Sequence, residues 1–253
     1  MPKPEILHEL RHAIDPVAFA RERLDFLPDP NQALVLASRS KQVILNCTRQ
    51  WGKSTITAAR AVFIAWHQPD SLILVLSPTA RQSGELVAKT AAFLRRLGTR
   101  TKGDGNNKVS LLLPNGSRIV GLPGSESNVR GFSGARLLLV DEAARVPEDL
   151  YRAMLPVLAA SDGDLWLMST PFGRRGFFFE TWTTGGSGWH RIKVPATECP
   201  RIRPDKLERE RRSMGERWFR QEYLCEFSDN DETLFPEQLI RKAIKYDIRP
   251  LFQ

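Results

Sequence analysis

Residues 46–55 read Asn46-Cys47-Thr48-Arg49-Gln50-Trp51-Gly52-Lys53-Ser54-Thr55. They stand between a short apolar run at 43–45 and the residues Ile56, Ala59, Val62, Phe63 and Trp66, which recur at helical spacing. A buried strand, a loop and an amphipathic helix in that order constrain the chain to an α/β fold whose loop faces an anion. In a nucleotide-phosphate loop of this kind, backbone N–H groups and the helix N-terminus point at a triphosphate. Lys53 reaches the β- and γ-phosphates, and Ser54 offers its hydroxyl to Mg²⁺. The usual pattern opens with glycine six positions before the lysine; here that position holds Cys47, and the bulky Trp51 directly precedes Gly52. Cys47 is expected to be buried in the space the missing glycine leaves.

A second signal lies downstream, where Leu137-Leu138-Leu139-Val140 forms a buried-type strand ending in Asp141-Glu142. Asp141 at the strand end is placed to hold Mg²⁺ and Glu142 beside it to polarise an attacking water. The bland alternative, acids opening a helix before Ala143-Ala144-Arg145, weakens once the phosphate loop is set beside it. Leu72–Leu76 runs into Ser77-Pro78-Thr79, and the strand at 165–168 runs into Ser169-Thr170-Pro171. Ligands of open α/β sheets bind outside the carboxyl ends of the strands, so both hydroxyl-bearing loops belong beside the nucleotide. Residues 109–113 and Arg118–Leu122 flank Pro114-Asn115-Gly116-Ser117, a hairpin signal, and a Gly- and Ser-rich loop at 124–134 carries Arg130.

Charge points to a polyanion partner, with 37 Lys and Arg against 29 Asp and Glu. The excess is concentrated in Arg81, Lys89, Arg95, Arg96, Arg100, Lys102, Lys108 and Arg118, the leading DNA-facing region, because phosphate contacts of this kind are independent of sequence. A second basic stretch, 201–220, is interleaved with glutamates and is expected to form a salt-bridged helix packed by Trp218 and Phe219. No apolar run approaches the roughly twenty residues that span a bilayer, so no membrane role is expected. Three cysteines without a Cys-x-x-Cys spacing argue against disulfides and structural zinc.

Taken in order, these motifs resemble the ATPase domain of phage terminase large subunits, the motors that package DNA into capsids, over nearly the whole chain. The resemblance implies a P-loop NTPase of the RecA-like, additional-strand catalytic-glutamate type. Its central sheet is mostly parallel and flanked by helices, with a small C-terminal helical lid or linker. It implies ATP and Mg²⁺ as cofactors. Gln32, in Pro30-Asn31-Gln32-Ala33-Leu34, matches the family's adenine-selecting glutamine. Thr48, Arg49, Gln50, Trp51, Gly52, Lys53, Ser54 and Thr55 match a deviant phosphate loop, with Arg49 near the γ-phosphate. Arg130 is similar to the arginine that reaches a neighbouring subunit's ATP, Glu142 to the catalytic acid, and Ser169, Thr170 and Pro171 to the motif coupling phosphate loss to movement. Gly176-Phe177-Phe178 and Trp189-His190 also fit the family's run.

By the same resemblance the partners are double-stranded DNA, further copies in a ring, pentameric in the family, the capsid portal and a terminase small subunit, in the host cytoplasm. The expected organisation is a helical lead-in over 1–28, a motor core over 29–194, and a lid or linker over 195–253 toward a nuclease domain. The residues after Phe227 show only a polar turn, with Asp229, Asp231 and Glu232 read as linker, and a short helix at 236–246. No nuclease activity is therefore expected of this chain alone. Two other readings stay open: a helicase-like DNA translocase, which shares the glutamine, the loop, the acid pair and the coupling motif, and a degenerate NTP-binding assembly protein.

Overall fold

The computed structural model describes residues 4–122, 124 and 131–228. Strands β1 (Gln42–Cys47), β2 (Leu72–Leu76), β3 (Ser110–Leu112), β4 (Arg118–Leu122), β5 (Ala135–Asp141), β6 (Asp164–Ser169) and β7 (Trp189–Val194) form one sheet in the order β3-β4-β2-β5-β6-β1-β7. Every neighbouring pair is parallel except β3 with β4, the expected hairpin. β2 and β6 are buried at every position, which is why they read as unbroken apolar runs rather than as alternation. β6 lies between the strand that feeds the phosphate loop and the strand that ends in Asp141, which is the additional-strand arrangement.

Helices cover both faces, each over its own core. Val43, Leu45 and Cys47 of β1 pack toward α2 (Pro16–Glu22), α3 (Pro30–Ala37), α4 (Lys53–His67) and α5 (Ala80–Arg96), which follow α1 (Pro4–Ile14). Ile44 points the other way, toward Leu150 and Met154 of α6 (Glu148–Met154) and Phe177 and Phe178 of α7 (Gly176–Thr184). That split follows from the two-residue period of a strand.

β7 was not legible as a strand, since Trp189-His190-Arg191-Ile192-Lys193-Val194 is half polar. Its six residues pair in register with β1 at the sheet edge, where only Val194 is fully buried, so polar side chains are tolerated there. The single charged helix expected over 201–220 is two helices, α8 (Pro204–Met214) and α9 (Glu216–Glu222), broken at Gly215 with φ 80°. The expected i to i+4 pairs form at Arg209–Asp205 and Arg212–Glu208. Phe219 is buried as expected but Trp218 is 51% exposed, because the break turns α9 so that only one of the two adjacent aromatics meets the core.

Among the described residues no helix is long and apolar enough to cross a membrane. Arg130, the acidic residues Asp229, Asp231 and Glu232 and the helix expected at 236–246 lie outside the described residues.

Candidate nucleotide site

Register brings the predicted residues to one edge of the sheet. Asn46 of β1 pairs with Ser169 of β6, and Met168 of β6 pairs with Asp141 of β5. Neighbouring strands are about 4.8 Å apart, so the phosphate loop, the coupling motif and the acid pair emerge side by side.

The loop then turns into α4 with Gln50 at φ 61° and Gly52 at φ 98°. A Cβ on Gly52 would stand 2.8 Å from Gln32 Nε2, so the position needs glycine for space as well as for its left-handed backbone. α2, α3 and α5 begin under side-chain caps from Asp15, Asp29 and Thr79, whereas α4 begins at Gly52 with no side-chain cap. The positive end of this fifteen-residue helix is thus left for an anion.

A cavity of about 430 Å³ opens there, lined by Arg49, Gln50, Gly52, Lys53, Ser54, Gln82, Lys89, Glu142 and Arg145. Lys53, Lys89 and Arg49 make it an anion site, while the fourth cation, Arg145, is paired with Glu142 and Glu222. Lys53 is only 7% exposed and donates 3.3 Å hydrogen bonds to the Cys47 and Thr48 carbonyls. These are long bonds to neutral acceptors, and a phosphate oxygen is the stronger partner for an ammonium.

Asp141 does not line this cavity but feels the charges of Glu142, Lys53 and Lys89, which do. Burial, and then the charge of Glu142, push its carboxyl up to about 6 despite Lys53. Its Oδ1 is buried without a hydrogen-bond partner, as are Ser169 Oγ and Ser77 Oγ at the ends of the adjoining strands. An unpartnered buried carboxylate oxygen beside strand-end hydroxyls fits a divalent cation. Glu142 follows in the left-handed region at φ 49°, a backbone state uncommon for a non-glycine residue.

Several expected residues take other parts. Trp51 is fully buried, so only its backbone faces the loop, and its carbonyl accepts from Arg201 and, at 2.9 Å, from Gln32 Nε2. Gln32 is 1% exposed and its Oε1 accepts from the Asp29 N–H at 3.1 Å, closing a capping box. Its amide therefore ties α3 to the phosphate loop, and an adenine contact would have to use the remaining hydrogen or lone pair. Thr48 is buried and donates to the Glu222 carbonyl at 3.0 Å. Cys47 is buried as expected, and burial pushes its thiol far above the usual range. Arg49 is exposed, its Nε bonded to Glu222 Oε2 at 2.6 Å. Ser54 and Thr55 occupy the first turn of α4, and Ser169, Thr170 and Pro171 are buried beside β1.

Sequence reading missed Arg145, Glu222 and Gln82, and it counted Lys89 with the DNA-facing cations. Lys89 lines the cavity at the start of α4 instead, since it stands on the α5 face turned to the loop. Arg96 also leaves that group: it donates to the Leu24 and Asp25 carbonyls at 2.6 and 2.9 Å. Glu222 accepts from Arg49 and, at 3.3 Å, from Arg145 Nη2, so α9 closes over the loop.

Comparison with known proteins agrees with this fold. Residues 44–242 match the family model described as terminase large subunit, T4likevirus-type, N-terminal. The chain is 25% identical over 219 residues to the terminase large subunit of Escherichia phage T5, covering 84% of this chain and 48% of that protein. It thus spans about half the length of that curated relative. Among solved structures it is similar to the large terminase ATPase domain of Thermus phage P74-26, with TM-score 0.74, 23% identity, and coverage of 82% of this chain and 96% of that one. The HK97 bacteriophage large terminase aligns with TM-score 0.70 at 15% identity over 85% of this chain and 55% of its own.

Proposed function

We propose, from the premise that this chain belongs to the terminase large-subunit N-terminal family, that it is the ATP-hydrolysing part of a motor moving double-stranded DNA into a capsid. The observation that carries this is the single cavity in which the uncapped start of α4, with Lys53 and Ser54, faces Glu142 at the end of β5. ATP bound there would place its triphosphate against Lys53, Arg49 and Lys89. Ser54 and Asp141 would hold Mg²⁺, which when bound neutralises charge on the phosphates. Glu142 accepts a proton from the attacking water, whose oxygen bonds to the γ-phosphorus as the β–γ bridging oxygen leaves with ADP.

Arg49, held by Glu222, would gain the γ-phosphate as a second acceptor, and Thr170 would pass its loss onward from the end of β6. Arg130 from a neighbouring copy completes the charge neutralisation in a ring. Gln32 places the loop for an adenine nucleotide through the Trp51 carbonyl. We read 29–194 as the motor core and the segment from 195 as its lid. Exposed Arg95, Arg100, Lys102 and Lys108 near the β3 edge form the DNA-facing surface. The capsid portal and a terminase small subunit are the expected partners, in the host cytoplasm. Family membership favours this reading over a helicase-like translocase or a non-catalytic assembly protein.

Phosphate release from Mg²⁺-ATP, measured against protein concentration with and without double-stranded DNA, tests it. Turnover per subunit should rise with concentration, because Arg130 comes from another copy, and should rise again with DNA. Absence of phosphate release at every concentration would overturn the reading.

A further inference from the structure

Arg145 stands at the end of the 3-10 turn that follows Glu142, and its guanidinium meets three other parts of the site. Nη1 donates to Glu142 Oε2 at 3.2 Å and to Thr170 Oγ1 at 3.3 Å, and Nη2 donates to Glu222 Oε1 at 3.3 Å. Its centre lies 4.7 Å from the Phe172 ring centroid, a cation–π distance that keeps the guanidinium against the loop after β6. The partners belong to the end of β5, the loop after β6 and α9. These segments are far apart in sequence, and one side chain joins them.

We propose that Arg145 is a positioning residue for Glu142, setting the direction of its carboxylate according to where Thr170 and α9 stand. The inference rests on the ATPase reading of this site and deepens it. Glu142 needs such a guide. Its backbone is left-handed, its side chain is 23% exposed, and neither feature fixes where the carboxylate points. A planar fork with several donors serves Glu142, Thr170 and Glu222 together, which a lysine ammonium on a flexible stem does with less geometric definition. A shift of the coupling loop after phosphate release therefore pulls on Thr170, turns Arg145, and moves the base out of line with water. The same shift loosens α9 at Glu222, whose other oxygen holds Arg49. Catalytic competence of Glu142 is thus tied to the position of the coupling loop.

The test uses the whole chain with Arg145→Ala and Arg145→Lys, reading nucleotide affinity, KM, kcat and thermal midpoint for each. Misplacing a reacting group by about 1 Å costs on the order of 10²-fold in rate, so Arg145→Ala should lose about that in kcat while nucleotide affinity holds. Arg145→Lys should recover part of the loss, and millimolar guanidinium should recover part of it in the alanine variant. In single-turnover phosphate release on a Glu142→Gln background, Arg145→Ala should add no further loss, because groups acting as a unit are non-additive. Unchanged kcat in Arg145→Ala, or a full multiplicative loss on that background, would overturn the proposal. Should the alanine variant not fold, the lysine variant decides by the same split: a fall in kcat at constant affinity supports the proposal, and unchanged kcat overturns it. An unsubstituted chain that releases no phosphate would instead sink the ATPase reading itself, so the two failures are distinct.

Discussion

Two buried aspartates sit at opposite ends of one strand pair, Asp164 where β6 begins and Asp141 where β5 finishes. Burial raises the carboxyl of both. At the amino edge Asp164 is given guanidinium partners, Arg60 at 3.5 Å and Arg136 at 3.9 Å, and Arg60 lies over the Trp166 ring at 5.3 Å. At the carboxyl edge Asp141 makes no ion pair within 4 Å among the described residues and keeps an oxygen with no partner there. The neighbouring cations line a cavity instead of closing on it. The same chemical problem, a carboxylate removed from water, is closed by the fold in one place and left open in the other. Where it is left open, a ligand is expected.

If that contrast is correct, substitutions at the two edges should separate activity from stability. The largest effect belongs to Glu142→Gln. Loss of a general base lowers turnover by about 10²–10⁴-fold, with ATP binding retained in a filter or fluorescence assay, whereas Lys53→Ala loses binding as well. Normal turnover in Glu142→Gln would remove the assignment of the base. Next is Arg60→Met, which leaves the buried Asp164 carboxylate with only the more distant Arg136 and should lower unfolding free energy at pH 7 by about 3–5 kcal/mol. A denaturant titration reads that loss, and the folded fraction should keep its kcat. A neutral result would mean that the amino-edge pair is not closed in the sense argued.

The smallest effect has the opposite sign. Asp141 is held near 6 against an ordinary 3.8, so between those values the folded chain keeps a proton that the unfolded chain has released. Stability therefore declines as pH climbs through that interval, and the penalty is complete above it. Asp141→Asn should remove it, raising stability in Mg²⁺-free buffer at pH 7–8 by up to about 3 kcal/mol, with little change near pH 4. Hydrolysis should be lost in the same variant. Thermal melts across pH without Mg²⁺ check this, and a destabilised Asp141→Asn at pH 8 would show that the carboxylate has a partner after all.

The parts of this site that were legible in the sequence are those with a local signature. The phosphate loop, the strand ending in Asp141-Glu142 and the hydroxyls at Ser169 and Thr170 each combine an apolar run with a polar terminus, and burial on both faces of a parallel sheet makes such runs continuous. β7 escaped because an edge strand is only partly covered and tolerates polar residues along its length. Arg145 and Glu222 escaped for a different reason. Each is an ordinary charged residue in a charged neighbourhood, and nothing within a few positions shows that they will meet Arg49 and Thr170. Lys89 and Arg96, seven residues apart and so on the same face of α5, read as one basic surface, yet they stand about 10 Å apart along the axis, where one meets the cavity and the other the chain just after α2.

The residues by themselves determined the class of fold, the loop that opens α4 and the two acids that close β5, because strand burial and helix periodicity are written in neighbouring positions. Tertiary structure alone decided which cations close on carboxylates and which stay open to a ligand. It also decided that α9 lies over the loop and that Gln32 braces the loop through the Trp51 carbonyl. Those outcomes depend on strand order and on which helix face meets which strand end, and pairing across tens to more than a hundred residues leaves no periodic trace in the chain.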